Sequence, residues 1–480
     1  MNEDVRSGSH SHDLGDRDSP YGGSLMFEDF DQRRTIVVTN RPPARYLEQP
    51  DGSVSVRLDS SGVSRSYEPF KNQQIDWIVP ALTPVERKIT DGQVNTPQIP
   101  GRVNWNVHFV RTSRRVQHKH YNVICNPLLW FTFHRAWSSP YTPKIGREEH
   151  DAWDTGYVEV NRSFASAISD LVGSEQVRLI VQDYQQLLVP GMLRDMTDDA
   201  EIRIILDTPW PWPSDLSLLP ERWIAQITDS ISKADSFRLP SKQDVAAFRS
   251  CGHPVKGSIQ NIKSVVAPSF QPVERQETNQ QQQLAAARPG FLFVTVDRAE
   301  PNKNLVRPIE AFRNVLKRSE VLERKPEFWV ILSPGPNHIA AYRRLMEDVR
   351  RAARPVNNEA KYTAVRIIEE RNMSSAQVAL REYDALVSVP IVDGVGRTSL
   401  DAPPVNKRNG LMILSKSLPI ADLYGDHSLS VQPTDSLAIE KVMISALNMS
   451  DAERETRSLA IRELAGSNTA ESFWRAVLDK

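Results

Sequence analysis

The chain has 480 residues, 40% hydrophobic and 25% charged, a globular composition with room for two to four domains. Its 59 Lys+Arg against 60 Asp+Glu leave no basic field to favour nucleic acid or anionic lipid. Cys125 and Cys251 are too few for a disulfide scaffold, and no apolar run nears the roughly 18 residues of a membrane span. A soluble, cytoplasmic protein is expected, since the N-terminus lacks the basic start and apolar core of a secretory signal.

In chain order, residues 1–34 are polar and predict a mobile tail, and order should begin at the β-branched run Thr35–Thr39. An N-terminal domain is predicted over 35–270. Its strands fall at Ile75–Leu82, Val103–Val110, Val177–Gln182, Ile202–Leu206 and Ser264–Ala267, and helices cover Val160–Leu171 and Leu218–Ile231. A Gln-rich stretch, 271–289, reads as a linker. A second domain, 290–465, carries strands at Phe291–Val296, Phe328–Leu332, Val365–Ile368, Ala385–Val389 and Leu411–Leu414. Helices at Leu305–Leu316, Ile339–Ala352, Ser375–Glu382 and Ser436–Leu447 alternate with them. Such alternation predicts an α/β protein of two doubly wound parallel sheets facing a cleft. Ligands of such sheets bind beyond the strand C-termini.

Several of those strand ends carry unusual chemistry. Arg41 follows the first strand, where it either grips an anion with its planar fork or is a plain surface residue. Tyr121 and Trp130 in HYNVICNPLLW offer flat faces for sugar C–H groups, or else pack a core. Asp183 and Asp207 end neighbouring strands, where they serve as acid, base and hydroxyl ligands or merely as helix caps. Arg298 and Lys303, with Asn304 as N-cap of the next helix, suit a diphosphate at a helix N-terminus. The turn Val392–Asp401, with Gly394 and Gly396, offers backbone N–H groups to phosphates or hydroxyls. No dinucleotide fingerprint, P-loop or metal motif occurs.

Together these pieces resemble the trehalose-6-phosphate synthase family over roughly 36–478. The resemblance rests on YNVICNPLLW at Tyr121–Trp130, DYQ at Asp183–Gln185, PWPWPS at Pro209–Ser214, Arg298 with Lys303, and the DG…APPVN stretch from Asp393 to Asn406. DYQ and the last stretch are closer to the pseudo-glycosyltransferase branch. The resemblance implies a GT-B fold and a metal-independent, cofactor-free reaction. A nucleotide-diphosphate-activated donor, UDP or GDP, would couple with retention to a sugar or aminocyclitol acceptor, as in aminosugar and aminocyclitol biosynthesis. It also implies a C-terminal helix, within 466–480, packed back on the N-terminal domain, and it leaves room for a homodimer.

Carried over by position, Arg298 and Lys303 would neutralise the donor diphosphate. Asp393, Gly394 and Asp401 would hold donor hydroxyls, and Gly62 would lie in the loop between donor and acceptor. Arg41, Tyr121, Trp130 and Asp183 would line the acceptor pocket. The sequence also departs from the family pattern. Asp207 replaces a histidine facing the donor ring, Pro336 replaces an arginine on the acceptor phosphate, Asp401 replaces a longer glutamate, Gly396 replaces an asparagine, and Arg397 is an added cation in the donor loop. His338, Arg114 and Arg115 are candidate substitutes for the missing arginine. The expectation for Asp207 is a contact with an amino group or an unusual hydroxyl. The competing reading is an impaired relative that binds a sugar phosphate or nucleotide without turnover.

Overall fold

The β-branched run that opens the ordered chain buries both of its faces. Strand β1 (Thr35–Val38) sends Ile36 and Val38 into one apolar layer and Val37 into the opposite one, the period-2 alternation of a strand covered on both sides. The computed structural model describes residues 33–59, 62–137, 144–173, 175–197, 200–251, 262–264, 278–335, 339–370 and 374–478. Residues 1–32 of the tail expected over 1–34, Pro336 and His338 therefore lie outside the described residues, while Arg34 pairs with Asp76 at 2.6 Å and Glu175 at 2.9 Å.

In the N-terminal lobe, β1 is followed by β2 (Ala44–Glu48), β3 (Val54–Leu58), β4 (Ile75–Pro80) and β5 (Trp105–Val110). After these come β6 (Val177–Gln182), β7 (Ala200–Ile205), β8 (Ser236–Leu239) and β9 (Ile262–Ser264). Seven of them form a parallel sheet in the order β5-β4-β1-β6-β7-β8-β9, while β2 and β3 pair as a separate antiparallel hairpin. The C-terminal lobe contains β10 (Leu292–Arg298), β11 (Glu327–Ser333), β12 (Val365–Glu369), β13 (Ala385–Ser388), β14 (Leu411–Ser415) and β15 (Leu429–Val431). Its order is β12-β11-β10-β13-β14-β15, again parallel throughout. In each sheet the direction of winding reverses beside the first strand, between β1 and β6 and between β10 and β13. Those reversals place ligand crevices at the ends of these four strands. The molecule is an α/β protein with two Rossmann-like sheets, the GT-B architecture.

Several local expectations are corrected. Within the stretch expected as a linker over 271–289, Asn279–Ala286 is a helix, because Thr278 and Gln281 form a reciprocal cap and the Gln281 amide donates to the Ser374 carbonyl at 3.1 Å, while 271–277 lie outside the described residues. Pro220 delays the helix expected from 218 to Glu221. The strand expected at 264–267 is seen at Ile262–Ser264, and 265–267 lie outside the described residues. Asn304 does not cap a helix. It sits at φ +56°, and its amide donates to the carbonyls of Val389 (2.9 Å) and Pro433 (2.7 Å), while the helix begins at Val306. The hairpin of β2 and β3 had no counterpart in the expected elements.

The helix Ala470–Leu478 lies on the N-terminal lobe. Phe473, Trp474 and Val477 join Tyr67, Phe70, Trp77 and Ile205 in one cluster, and Trp474 is edge-on to Phe70 with centroids 5.0 Å apart. The Trp474 indole N–H donates to the Ser66 carbonyl. Arg203 and Arg238 both donate to the Val477 carbonyl, at 2.7 and 3.1 Å, which satisfies one of the acceptors a helix end leaves open. Trp474→Ala is expected to destabilise the chain by about 3–5 kcal/mol in urea unfolding. A change under about 1 kcal/mol would contradict the anchoring role.

Candidate active site

The N-terminal wall of the cleft starts with a widened helix. Residues Lys119–Leu129 wind as a π-helix, with the Trp130 N–H donating to the Cys125 carbonyl, five residues back. A second π-wound turn, Trp153–Tyr157, packs on it. Gly156 permits the approach, since a Cβ there would overlap the backbone of Lys119 and His120. This segment carries half-buried Tyr121 and leads into Trp130, which is 5% exposed. Trp130 stacks on His134 (centroids 4.3 Å, 23°) and faces Tyr342 of the opposite lobe at 6.1 Å. Trp130 thus meets Tyr342 at the lobe junction, and Tyr121 acts electrostatically on the Tyr342 hydroxyl. Sequence reasoning missed His134 and Tyr342. The one signal for His134 is its spacing of four residues from Trp130, the same face of a helix.

The carboxylates of the strand ends come together. Asp183 follows β6 at φ +70°, a conformation that costs a non-glycine residue roughly 1–3 kcal/mol. Its backbone N–H donates to the Ile205 carbonyl at 2.8 Å, and its Oδ1 accepts from the Thr208 hydroxyl at 3.3 Å. Burial and the nearby Asp207 push the Asp183 carboxyl up to about 7. Asp207, after β7, accepts from the Gln182 amide at 3.0 Å. Burial raises its pKa, while Arg397 and that hydrogen bond oppose the rise.

The C-terminal wall is built on salt bridges. The Lys303 ammonium lies 2.8 Å from Asp297 and 2.6 Å from Asp393, with only 10% of its side chain exposed. Burial opposes its charge, but Asp297, Asp393 and Glu300 outweigh that and raise its pKa. Arg298 keeps 61% of its side chain exposed while pairing with Glu300 at 3.2 Å. Asp297 and Glu300 flank the predicted cations, yet sequence reasoning gave them no role. Backbone stitching fixes this corner: the Ile391 N–H donates to the Asn302 carbonyl at 2.8 Å, and the Asn302 amide donates to the Val392 carbonyl at 2.9 Å.

The loop after β13 closes the cleft. A Cβ at Gly394 would overlap the Asp207 carbonyl, so only glycine lets the two lobes meet there. Gly396, at φ +60°, turns the chain into the helix Arg397–Asp401. Arg65, on the helix Gly62–Ser66, shares its surroundings with Asp401 and Arg397, and burial pushes its pKa down. Asp207, Gly394, Arg397, Asp401 and Arg65 therefore form one cross-cleft group, and Arg65 is a member the sequence did not reveal. Gly62 opens Arg65's helix. Arg41 stands exposed at the end of β1, and no hydrogen bond or ion pair joins it to the others among the described residues. Arg114 and Arg115 are exposed on a short helix outside the cluster.

With this geometry in place, comparison with known proteins is decisive at the level of family. The sequence profile of glycosyltransferase family 20 matches residues 33–287 and 266–480. The chain belongs to glycosyltransferase family 20. It is similar to validamine 7-phosphate valienyltransferase of Streptomyces hygroscopicus subsp. jinggangensis (24% identity, covering 93% of this chain and 92% of that one). It is equally similar to trehalose-6-phosphate synthase of Mycolicibacterium smegmatis (24%; 92% and 91%). Among solved structures, the Escherichia coli trehalose-6-phosphate protein bound with UDP-2-fluoro glucose superposes with TM-score 0.76 at 18% identity, covering 93% and 99% of the two chains. A Burkholderia xenovorans trehalose-phosphate synthase in complex with glucose-6-phosphate gives 0.73 at 19% (93% and 100%). The family 20 chain is a glycosyltransferase.

Because the Asp183 pKa is raised in the fold, its contribution to stability is complete below pH 4 and is lost as pH rises through about 7. Asp183→Asn removes this penalty. It should stabilise the protein by on the order of 2 kcal/mol at pH 8 and by almost nothing at pH 4, read from urea unfolding at both values. Equal effects at the two pH values would contradict the buried ionisation.

Proposed function

We propose that this family 20 member is a retaining transferase that couples a nucleotide-diphosphate-activated sugar or cyclitol to a sugar or aminocyclitol acceptor. The observation that carries the reading is the Lys303 and Arg298 pair at the β10 switch point, where Lys303 holds Asp393, the neighbour of the Gly394 that packs on the Asp207 carbonyl of the other lobe. Departure of a nucleoside diphosphate builds negative charge, and the enclosed Lys303 together with the more exposed Arg298 stabilises that charge without a separate base. The leaving phosphate then takes the acceptor proton. Asp393 and Gly394 serve the donor hydroxyls, Asp401 the ribose, and Asp183 with Tyr121 and Trp130 the acceptor, while Arg41 reaches an acceptor phosphate at the rim.

The finer substrate reading rests on Asp207 and Arg397. An acid stands where the family has a histidine, and the added cation of the donor loop acts on that acid across the lobes. A carboxylate only accepts hydrogen bonds, so it selects a donor-rich group such as an amine or a pair of hydroxyls. An aminocyclitol-type substrate meets that requirement, and the likeness to a valienyltransferase agrees with it. Of the two nucleotides, GDP accords with that branch and UDP with the wider family.

Calorimetric titration with UDP, GDP and ADP is expected to show one nucleotide binding, with the signal lost in Arg298→Ala. Absence of binding at millimolar nucleotide would instead favour an impaired, non-catalytic relative. For an active enzyme, Asp207→Asn should lower kcat/KM roughly 10–100-fold, the range of a charged hydrogen bond. Unchanged kcat/KM would remove Asp207 from substrate recognition.

A further inference from the structure

The donor corner holds more negative than positive charge. Asp297, Glu300 and Asp393 face two cations, Arg298 and Lys303, all linked by ion pairs between 2.6 and 3.2 Å. By formal charge the corner is one negative before any ligand arrives, burial raises the Asp297 pKa against the pull of Lys303, and both cations are already engaged. A diphosphate diester brings two further negative charges. Arg298 can turn from Glu300 because its side chain is largely exposed, but Lys303 is enclosed and cannot serve a phosphate without weakening its hold on a carboxylate. The excess negative charge must be offset, and the least costly source is a proton.

His134 is placed to take it. The imidazole is 5% exposed and lies flat on Trp130. Its Nδ1 is 2.9 Å from the Trp130 carbonyl; a carbonyl only accepts, so Nδ1 carries the proton and Nε2 keeps a lone pair. From the opposite lobe, Asp393, Glu300 and Lys303 act electrostatically on the ring. Burial lowers its pKa, the two carboxylates oppose that, and Lys303 adds to it. Arg298 stands beside Glu300, the Tyr342 hydroxyl belongs to the ring that packs near Trp130, and Asp297 sits behind Lys303. Imidazole is the one side chain here whose ordinary pKa lies close to neutrality, so added anionic charge tips it most readily.

We propose that His134 is the proton acceptor of the donor site: binding of a nucleotide diphosphate between Arg298 and Lys303 protonates its Nε2, so that donor binding takes up a proton. The resulting imidazolium is a third positive charge at the site of the departing diphosphate. This inference rests on the donor-site reading above, but the two fail in different ways.

The test is calorimetry of the full chain at pH 7 with UDP-glucose and GDP-glucose, whose diester phosphates do not titrate in this range. It is repeated in buffers of different ionisation enthalpy, which reports the number of protons exchanged. Uptake approaching one proton in the wild type, lost in His134→Gln while binding persists, is the expected result. A measurement on the unmodified protein stands beside it in case the variant does not fold: affinity should strengthen up to about tenfold per pH unit between pH 8 and 6. Binding without proton uptake and with pH-independent affinity overturns the proposal while leaving the donor site intact. Undiminished uptake in a folded His134→Gln also overturns it, and would assign the proton to Asp297. If neither nucleotide sugar binds, the donor-site reading fails and the proposal falls with it.

Discussion

The buried ammonium of Lys303, shared between Asp297 and Asp393, is the interaction on which the rest of the site depends. A charge this enclosed is stable only when paired, and here its partners come from the end of β10 and from the loop after β13. The pairing fixes both segments at the switch point of the C-terminal sheet. That loop in turn presses Gly394 onto the Asp207 carbonyl and carries Arg397 towards the Asp207 carboxylate. One ion-pair cluster thus sets the position of a donor corner, a lobe contact and a cross-cleft charge pair.

The opposite wall is strained where the chemistry is proposed. Asp183 holds a left-handed backbone and a carboxyl that burial and the nearby Asp207 push up to about 7. Such features persist only where surrounding structure enforces them, and here the two π-wound turns supply that frame, with the Tyr157 hydroxyl donating to the Tyr184 carbonyl at 2.7 Å and the His120 ring bonded to the Gln185 carbonyl at 3.1 Å. The helix Ala470–Leu478 holds Ser66 through Trp474, and thereby the short helix that presents Arg65 to Asp401. The cross-cleft group is therefore linked to the C-terminal helix through Ser66 and the short helix that carries Arg65.

The parallel architecture was legible because buried strands such as β1 and β10 are short apolar runs bounded by polar turns. The strand-end residues were legible because a doubly wound sheet points its strand C-termini at the ligand. Lys303 and Asp393, 90 residues apart, were each identified, but their union is a tertiary fact that local sequence does not encode. His134 and Tyr342 were missed for the same reason: one lies in an aromatic-rich helix and the other near the start of a long basic one, and only lobe closure brings their surroundings together. Asn304 looked like a cap because Asn favours that position, yet its amide bridges Val389 and Pro433 instead. The Gln-rich stretch looked like a linker by composition, and the reciprocal bonds of Thr278 and Gln281 start a helix in it at Asn279.

In the proposed reaction the Lys303 cluster receives the departing diphosphate of an activated donor. The most direct test is release of free nucleoside diphosphate from UDP- and GDP-activated sugars and cyclitols, with and without sugar phosphates and aminocyclitols as acceptors, for the wild type and for Lys303→Ala. Acceptor-dependent release from one donor class, lost in Lys303→Ala, is the result this account expects. Release that survives in Lys303→Ala, or no release from any donor with any acceptor, would contradict it.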